Sequence, residues 1–189
     1  MITRIKMLPL LLLGISLQAQ TPQANNTQFN PTDPNIQYIG RVEVSNPNRP
    51  TFTYPGVQIR TGFTGTSITM MAKPQSGYFM VSIDGKEAYK VAVLADSIVT
   101  LASRLKDTPH QVIVTYISEG YEALPEFRGF LVDKGKSLIP ATNIPERKIE
   151  FIGNSITCGY GIEANSEAEH YEEKTANYYY TMRREQHAI

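Results

Sequence analysis

Between residues 36 and 140 the chain is a succession of short β-prone runs separated by turn residues: YIGRVEVS, VQIRTGF, SITMMA, GYFMVSI, YKVAVL, SIVTLA, HQVIVTYIS and FRGFLVD. Short strands at this spacing predict a β-sandwich or jelly roll. Two runs say more than the others. In YFMVSI-DGK-EAYKVAV, Asp84 and Gly85 lie between two β-prone stretches, and this dipeptide tolerates the positive φ angles of a tight hairpin. In residues 111–118, Val112, Val114 and Tyr116 alternate with Ile113, Thr115 and Ile117. Both faces are therefore largely apolar, which predicts a central strand covered on two sides.

The rest of the chain frames this region. At 189 residues with 41% hydrophobic content it is long enough to bury a real core. Eighteen basic residues balance eighteen acidic ones, so no long-range field would draw nucleic acid or an anionic membrane. A near-neutral surface suits an uncharged ligand such as a carbohydrate or an ester. The lone cysteine, Cys158, excludes an intrachain disulfide and a cysteine-built zinc site. The opening MITRIKMLPLLLLGISLQAQ reads as a secretory signal over residues 1–20, with Arg4 and Lys6 before an apolar stretch and cleavage expected near Ala19 or Gln20. The stretch is short for a bilayer span, which takes about 20 residues, so an uncleaved anchor is the lesser alternative. No cysteine follows it to carry a lipid. A secreted or periplasmic protein is expected. Residues 21–35 are rich in Asn, Gln, Thr and Pro and predict a flexible leader.

After the sandwich the pattern changes. SLIPATNIPER, residues 137–147, holds two prolines that break regular structure, and the linker proper is placed at 141–147. KIEFIGNS then reads as a compact apolar strand ending in a Gly-Asn-Ser turn, and from residue 167 onward the residues favour helix. Strand, turn and helix in that order are how an α/β sheet begins. The expected fold class is thus mainly β: a jelly-roll sandwich at 36–140 followed by the first strand, turn and helix of an α/β domain at 148–189.

The chemistry is concentrated in IEFIGNSITCGYG, residues 149–161. Ser155 stands just past the expected strand end, beside Gly153 and before Gly159 and Gly161. Ligands of α/β sheets bind at the carboxyl ends of strands. A serine there can project its hydroxyl into a cleft, while glycines let the backbone turn sharply and approach a substrate carbonyl. Such a geometry suits acyl transfer. The α/β-hydrolase elbow G-x-S-x-G is not matched, because Thr157 occupies the place of the second glycine. The residues do resemble the first block of SGNH (GDSL-like) hydrolases, G-D-S-x-[ST]. The longer run through TCGYG is similar to family 2 carbohydrate esterases of the acetylxylan esterase type, in which a jelly-roll domain precedes the SGNH domain. The resemblance implies Ser155 as nucleophile and its own N–H as one oxyanion donor, with Gly153, Asn154 and Gly159 shaping the supporting turn. Asn154 stands where that family usually has aspartate. It keeps the shape and much of the hydrogen bonding while losing a charge, so retuned activity is expected.

The family's later glycine and asparagine donors, and the D-x-x-H segment that carries its general base, have no counterpart here. Some forty residues after the linker are too few for an SGNH domain, so truncation or a frameshift near Thr181 is the expectation. Cys158 is read as packing, since nothing local would lower its pKa. EAEH, residues 167–170, has the spacing of an acid and a histidine but comes too soon after the serine for the family's base. His110 and His187 are likewise unsupported as bases. Tyr171 and Tyr178, Tyr179 and Tyr180 are read as core packing. The function implied is deacetylation of acetylated plant polysaccharides such as xylan, with no metal or organic cofactor and no nucleic-acid or membrane partner. The alternatives are a carbohydrate-binding or structural β-sandwich without catalysis, and a nonfunctional fragment.

Overall fold

The computed structural model describes residues 26–119, 124–142, 144, 146–147, 149–166 and 168–181. Two antiparallel sheets face each other. Their strands are β1 (Asn26–Phe29), β2 (Gln37–Ile39), β3 (Gln58–Gly65), β4 (Ile68–Ala72), β5 (Gly77–Ile83), β6 (Tyr89–Val93), β7 (Ile98–Ala102), β8 (Thr108–Tyr116), β9 (Phe127–Asp133) and β10 (Leu138–Ile139). One sheet runs β1-β9-β4-β7. The other runs β10-β3-β8-β5-β6, with β2 also pairing with β3. The mainly β sandwich expected from the alternating runs is the architecture found.

Alternation explains the core. Phe63, Ile59, Val81, Phe79, Val112, Val114 and Tyr116 from one sheet meet Ile68, Met70, Leu101, Phe130 and Val132 from the other, all at most 3% exposed. Edge-to-face contacts of Phe52 with Phe79 and Tyr116, and of Phe127 with Phe130, fill the widest part. The Asp84-Gly85 hairpin forms as expected: both residues have positive φ, 55° and 69°, and the Lys86 N–H donates to the Ile83 carbonyl at 3.0 Å. β8 is central, flanked by β3 and β5.

Two elements were not anticipated. The flexible leader over 21–35 does not hold for its described part, because Asn26–Phe29 pairs with Phe130–Asp133 as an edge strand. A polar strand hides well in sequence when it contributes backbone bonds more than side-chain burial. This pairing depends on Gly129, whose φ is 115° and where a Cβ would run into the Phe29 carbonyl. β10, Leu138–Ile139, lies inside the proline-containing run SLIPATNIPER and pairs with Gly62 and Phe63. The signal-peptide stretch 1–20 lies outside the described residues.

The expected strand in KIEFIGNS does not form. Residues 149–154 carry no strand pairing, and Ile149 and Ile152 are 70% and 93% exposed. A parallel strand of an α/β sheet is held by neighbours on both sides, and none lies beside it among the described residues. Turns cover residues 155–163. A short 3-10 turn follows at Glu173–Thr175, and helix begins only at residue 178, not at 167.

His110 on β8 is the one buried histidine among the described residues. Its Nδ1 lies 2.7 Å from an Asp84 carboxylate oxygen and its Nε2 2.8 Å from the Lys106 carbonyl. Only the imidazolium donates from both nitrogens. Burial pulls the His110 pKa down, but the Lys106 carbonyl and Asp84 carboxylate outweigh it, and the net direction is up. Burial likewise raises Asp84, and the Gln111 N–H and His110 outweigh it in the opposite sense.

Two outcomes follow from this packing. Gly129→Ala should lower unfolding free energy by more than about 1 kcal/mol, with hydrogen exchange rising first in β1 and its partner residues. Equal exchange in both chains would contradict the role given to Gly129. The histidine adds a pH window. Because its folded pKa is raised, its contribution is fully present below about pH 6.5, the unfolded value, and is lost as pH rises through the folded pKa. The Asp84 contribution is present above about pH 4 and lost on acidification through its lowered folded value. Urea unfolding should therefore show a loss of stability as pH rises above about 6.5 that is absent from His110→Gln.

Candidate active site

The Ser155 turn is built from local bonds. Asn154 accepts the Ile156 N–H on its side-chain oxygen at 3.0 Å, while its carbonyl accepts the Cys158 N–H at 3.2 Å. The Ser155 carbonyl accepts the Tyr160 N–H at 2.9 Å, and the Ile156 carbonyl the Gly159 N–H at 3.1 Å. An Asx side chain bonding two residues ahead is the local interaction that favours a turn over a strand. An aspartate at 154 would accept the same bond, so the geometry of the turn does not distinguish the two residues. Gly153 leaves room for the Thr157 side chain, and Gly159 has φ 71° with the Asn177 carbonyl packed where a Cβ would sit. Gly153 is fixed by close approach alone, Gly159 by close approach and by φ.

Ser155 itself is exposed, and neither its hydroxyl nor its N–H makes a hydrogen bond among the described residues. No described histidine or carboxylate is brought to it. His110 is committed to Asp84 and Lys106 inside the sandwich. His170 is exposed in a non-helical stretch, and Glu167 and His187 lie outside the described residues. Cys158 is half-buried, and burial together with the Glu119 carboxylate pushes its thiol up to about 11. A thiol so raised is mostly protonated at neutral pH and reacts slowly as a nucleophile. Among the described residues no group of three His, Cys, Asp or Glu side chains could hold a metal ion.

The tyrosines do not pack in the core as expected. Tyr171 and Tyr180 are exposed, Tyr178 and Tyr179 half-buried, and the Tyr160 and Tyr171 rings stack on each other at 3.7 Å. The buried positions are instead Thr175, Ala176 and Asn177. The reason is that this segment lies as a single layer on the outer face of the six-stranded sheet. Met80, outside the sandwich core yet only 2% exposed, is covered there by Asn177.

Sequence reasoning missed the residues that attach the serine turn to the sandwich. Asn177 donates its N–H to the Gly159 carbonyl at 2.9 Å and its side-chain N–H to Glu163 Oε1 at 2.8 Å. Glu163 in turn pairs with Lys90 of β6. Thr181 Oγ1 donates to the Thr157 carbonyl at 3.0 Å. One local signal existed: Asn177 precedes the helical residues 178–181 and accepts the Tyr179 N–H at 3.1 Å, which is the behaviour of an N-cap.

Residues 38–141, the sandwich up to the linker, match the family model described as carbohydrate esterase 2 N-terminal. The cellulase/esterase CelE of Acetivibrio thermocellus is 34% identical over 163 residues, covering 85% of this chain but 19% of that protein. An acetylxylan esterase / glucomannan deacetylase of Cellvibrio japonicus is 29% identical over 135 residues, covering 70% of this chain and 37% of that protein. The chain thus spans well under half the length of these relatives. Among solved structures, a family two carbohydrate esterase from Cellvibrio japonicus superposes with a TM-score of 0.71 at 25% identity, over 81% of this chain and 46% of that one. A family two carbohydrate esterase from Clostridium thermocellum in complex with cellohexaose does so with a TM-score of 0.68 at 32% identity, over 77% of this chain and 45% of that one. A sandwich matched along its length, together with a relative 34% identical over 163 residues, places the chain in the carbohydrate esterase 2 family, whose N-terminal domain it carries.

Proposed function

We propose that this chain is the leading portion of a secreted carbohydrate O-acetyl esterase, with Ser155 as the nucleophile. The sandwich at 36–140 is followed by a linker at 141–147 and by the opening of the hydrolase domain at 148–189. The observation that carries the reading is the exposed Ser155 turn, in which neither the hydroxyl nor the N–H of the serine is engaged among the described residues. A nucleophile needs the first for attack. The second is in place to donate to the oxygen of the attacked carbonyl, where negative charge develops.

In this reading Ser155 Oγ attacks the acetyl carbonyl carbon and gives its proton to a base. The tetrahedral oxyanion collapses with loss of the sugar alkoxide, which takes up that proton, and water then releases acetate from the acyl-serine. The base and the remaining oxyanion donors are not among the described residues. The substrates that fit are acetylated plant polysaccharides such as xylan or mannan, in keeping with the near-neutral charge of the chain and the names of its relatives.

A second reading is favoured by one observation: the sandwich closes its core without help from the serine segment, so it could serve as a binding module alone. The Ser155→Ala chain separates the two. In a protein that carries this sequence followed by the remaining length of its relatives, acetate release from acetylated xylan should fall by at least about a thousandfold, with the melting temperature unchanged. Undiminished turnover would sink the nucleophile assignment. Retention on acetylated xylan by a chain that shows no serine-dependent turnover would favour binding.

A further inference from the structure

Several contacts attach the serine turn to the sandwich, and among them the geometry points to Lys90 as the residue that positions it. This inference rests on the esterase reading above for its functional meaning. Lys90 stands on β6, opposite Met80 of β5, on the outer face of the six-stranded sheet. Its ammonium pairs with the Glu163 carboxylate and donates to the Lys174 carbonyl at 2.6 Å and to the Ala176 carbonyl at 3.3 Å. Three acceptors around one ammonium match its three donors. The Tyr78 ring lies 5.2 Å from Nζ on the same face. Lys90 therefore gathers two separate stretches, one at 163 and one at 174–176, onto the sheet.

Those stretches hold the turn. Glu163 is shared: Oε2 faces Lys90 and Oε1 accepts from Asn177, which is fully buried. The Glu163 N–H donates to the Thr175 carbonyl at 2.9 Å, and the Asn177 N–H to the Gly159 carbonyl at 2.9 Å. Gly159 closes the turn whose first residues are Asn154 and Ser155. The path from β6 to the nucleophile thus runs Lys90, Glu163, Asn177, Gly159, Ser155, each step a hydrogen bond, an ion pair or the turn itself. Residues 149–154 make no strand pairing, so the place of Ser155 relative to the sandwich is held by the Arg41–Glu150 ion pair before it, by the contact of Cys158 with Glu119 and by the bonds of residues 159–177 that converge on Lys90. An ion pair with an ammonium that also serves two carbonyls is charge-assisted and partly shielded, the kind of bond whose loss is felt.

The test needs no esterase turnover, so its failure is distinct from failure of the nucleophile assignment. Cys158, the only cysteine, sits within the turn and reports its state. In the full chain, Lys90→Met should speed alkylation of Cys158 by iodoacetamide at pH 8 by about tenfold or more, the size expected when one charge-assisted bond is lost. Hydrogen exchange at residues 156–160 should rise in parallel. Exchange in β3, β8 and β9 and the melting temperature of the sandwich should stay as in the parent chain. Lys90→Arg, which keeps a charged donor, should restore slow alkylation. An unchanged alkylation rate in Lys90→Met would overturn the proposal. So would loss of the sandwich itself in that variant, because Lys90 would then be a stability residue of the sheet and not a tether of the turn.

Discussion

Everything in this molecule hangs on β8. It pairs with β3 from Thr108 to Thr115 on one side and with β5 from Val112 to Tyr116 on the other, and its inward residues His110, Val112, Val114 and Tyr116 form the floor of the core. A strand with both edges bonded has no unsatisfied backbone to expose, so every neighbour inherits a register from it. β3 carries β2 and β10 on its far edge, and β5 carries β6. The opposite sheet closes over the same side chains through Phe130, Ile68 and Met70. Even the serine segment reaches the sandwich by way of β8, since the Tyr178 N–H donates to the Ile117 carbonyl just past its end.

The two-sided apolar pattern of β8 acquires a physical cause from this arrangement. Its inner face is covered by the second sheet, as in any sandwich. Its outer face approaches residues that follow the linker, where Thr115 and Ile117 are buried and Met80 of the neighbouring strand is capped by Asn177. A chain whose sandwich stood alone would place polar residues there. The apolar outer face is therefore the part of the sandwich that residues 175–178 cover, and Lys90 at its margin supplies a charged attachment.

The serine turn has the opposite character. It is assembled from bonds between residues two to five apart, from Asn154 to Tyr160, and needs only small residues at 153 and 159. Such a turn forms from local sequence. Its exposed serine and the exposed Ile149 and Ile152 before it show how little enclosure local structure can supply. Acyl transfer requires a base within hydrogen-bond reach and further oxyanion donors, and those come from parts of a fold distant in sequence.

What the sequence determined by itself was whatever has a short period or a local bond. The alternation of apolar residues gave strands β3 to β9, Asp84-Gly85 gave a hairpin, and the Gly-Asn-Ser turn with TCGYG gave the family. The tertiary structure decided the rest. It made an edge strand of the polar Asn26–Phe29, because backbone pairing to β9 asks little of side chains. It left residues 149–154 without strand pairing, because a parallel strand takes its stability from neighbours and not from its own composition. It put Tyr171 and Tyr180 outside and Asn177 inside, because that segment lies as one layer on a sheet. It joined Lys90 to Glu163 across 73 residues of chain. No periodicity or motif encodes such a pair; only the folded sheet brings its two charges together.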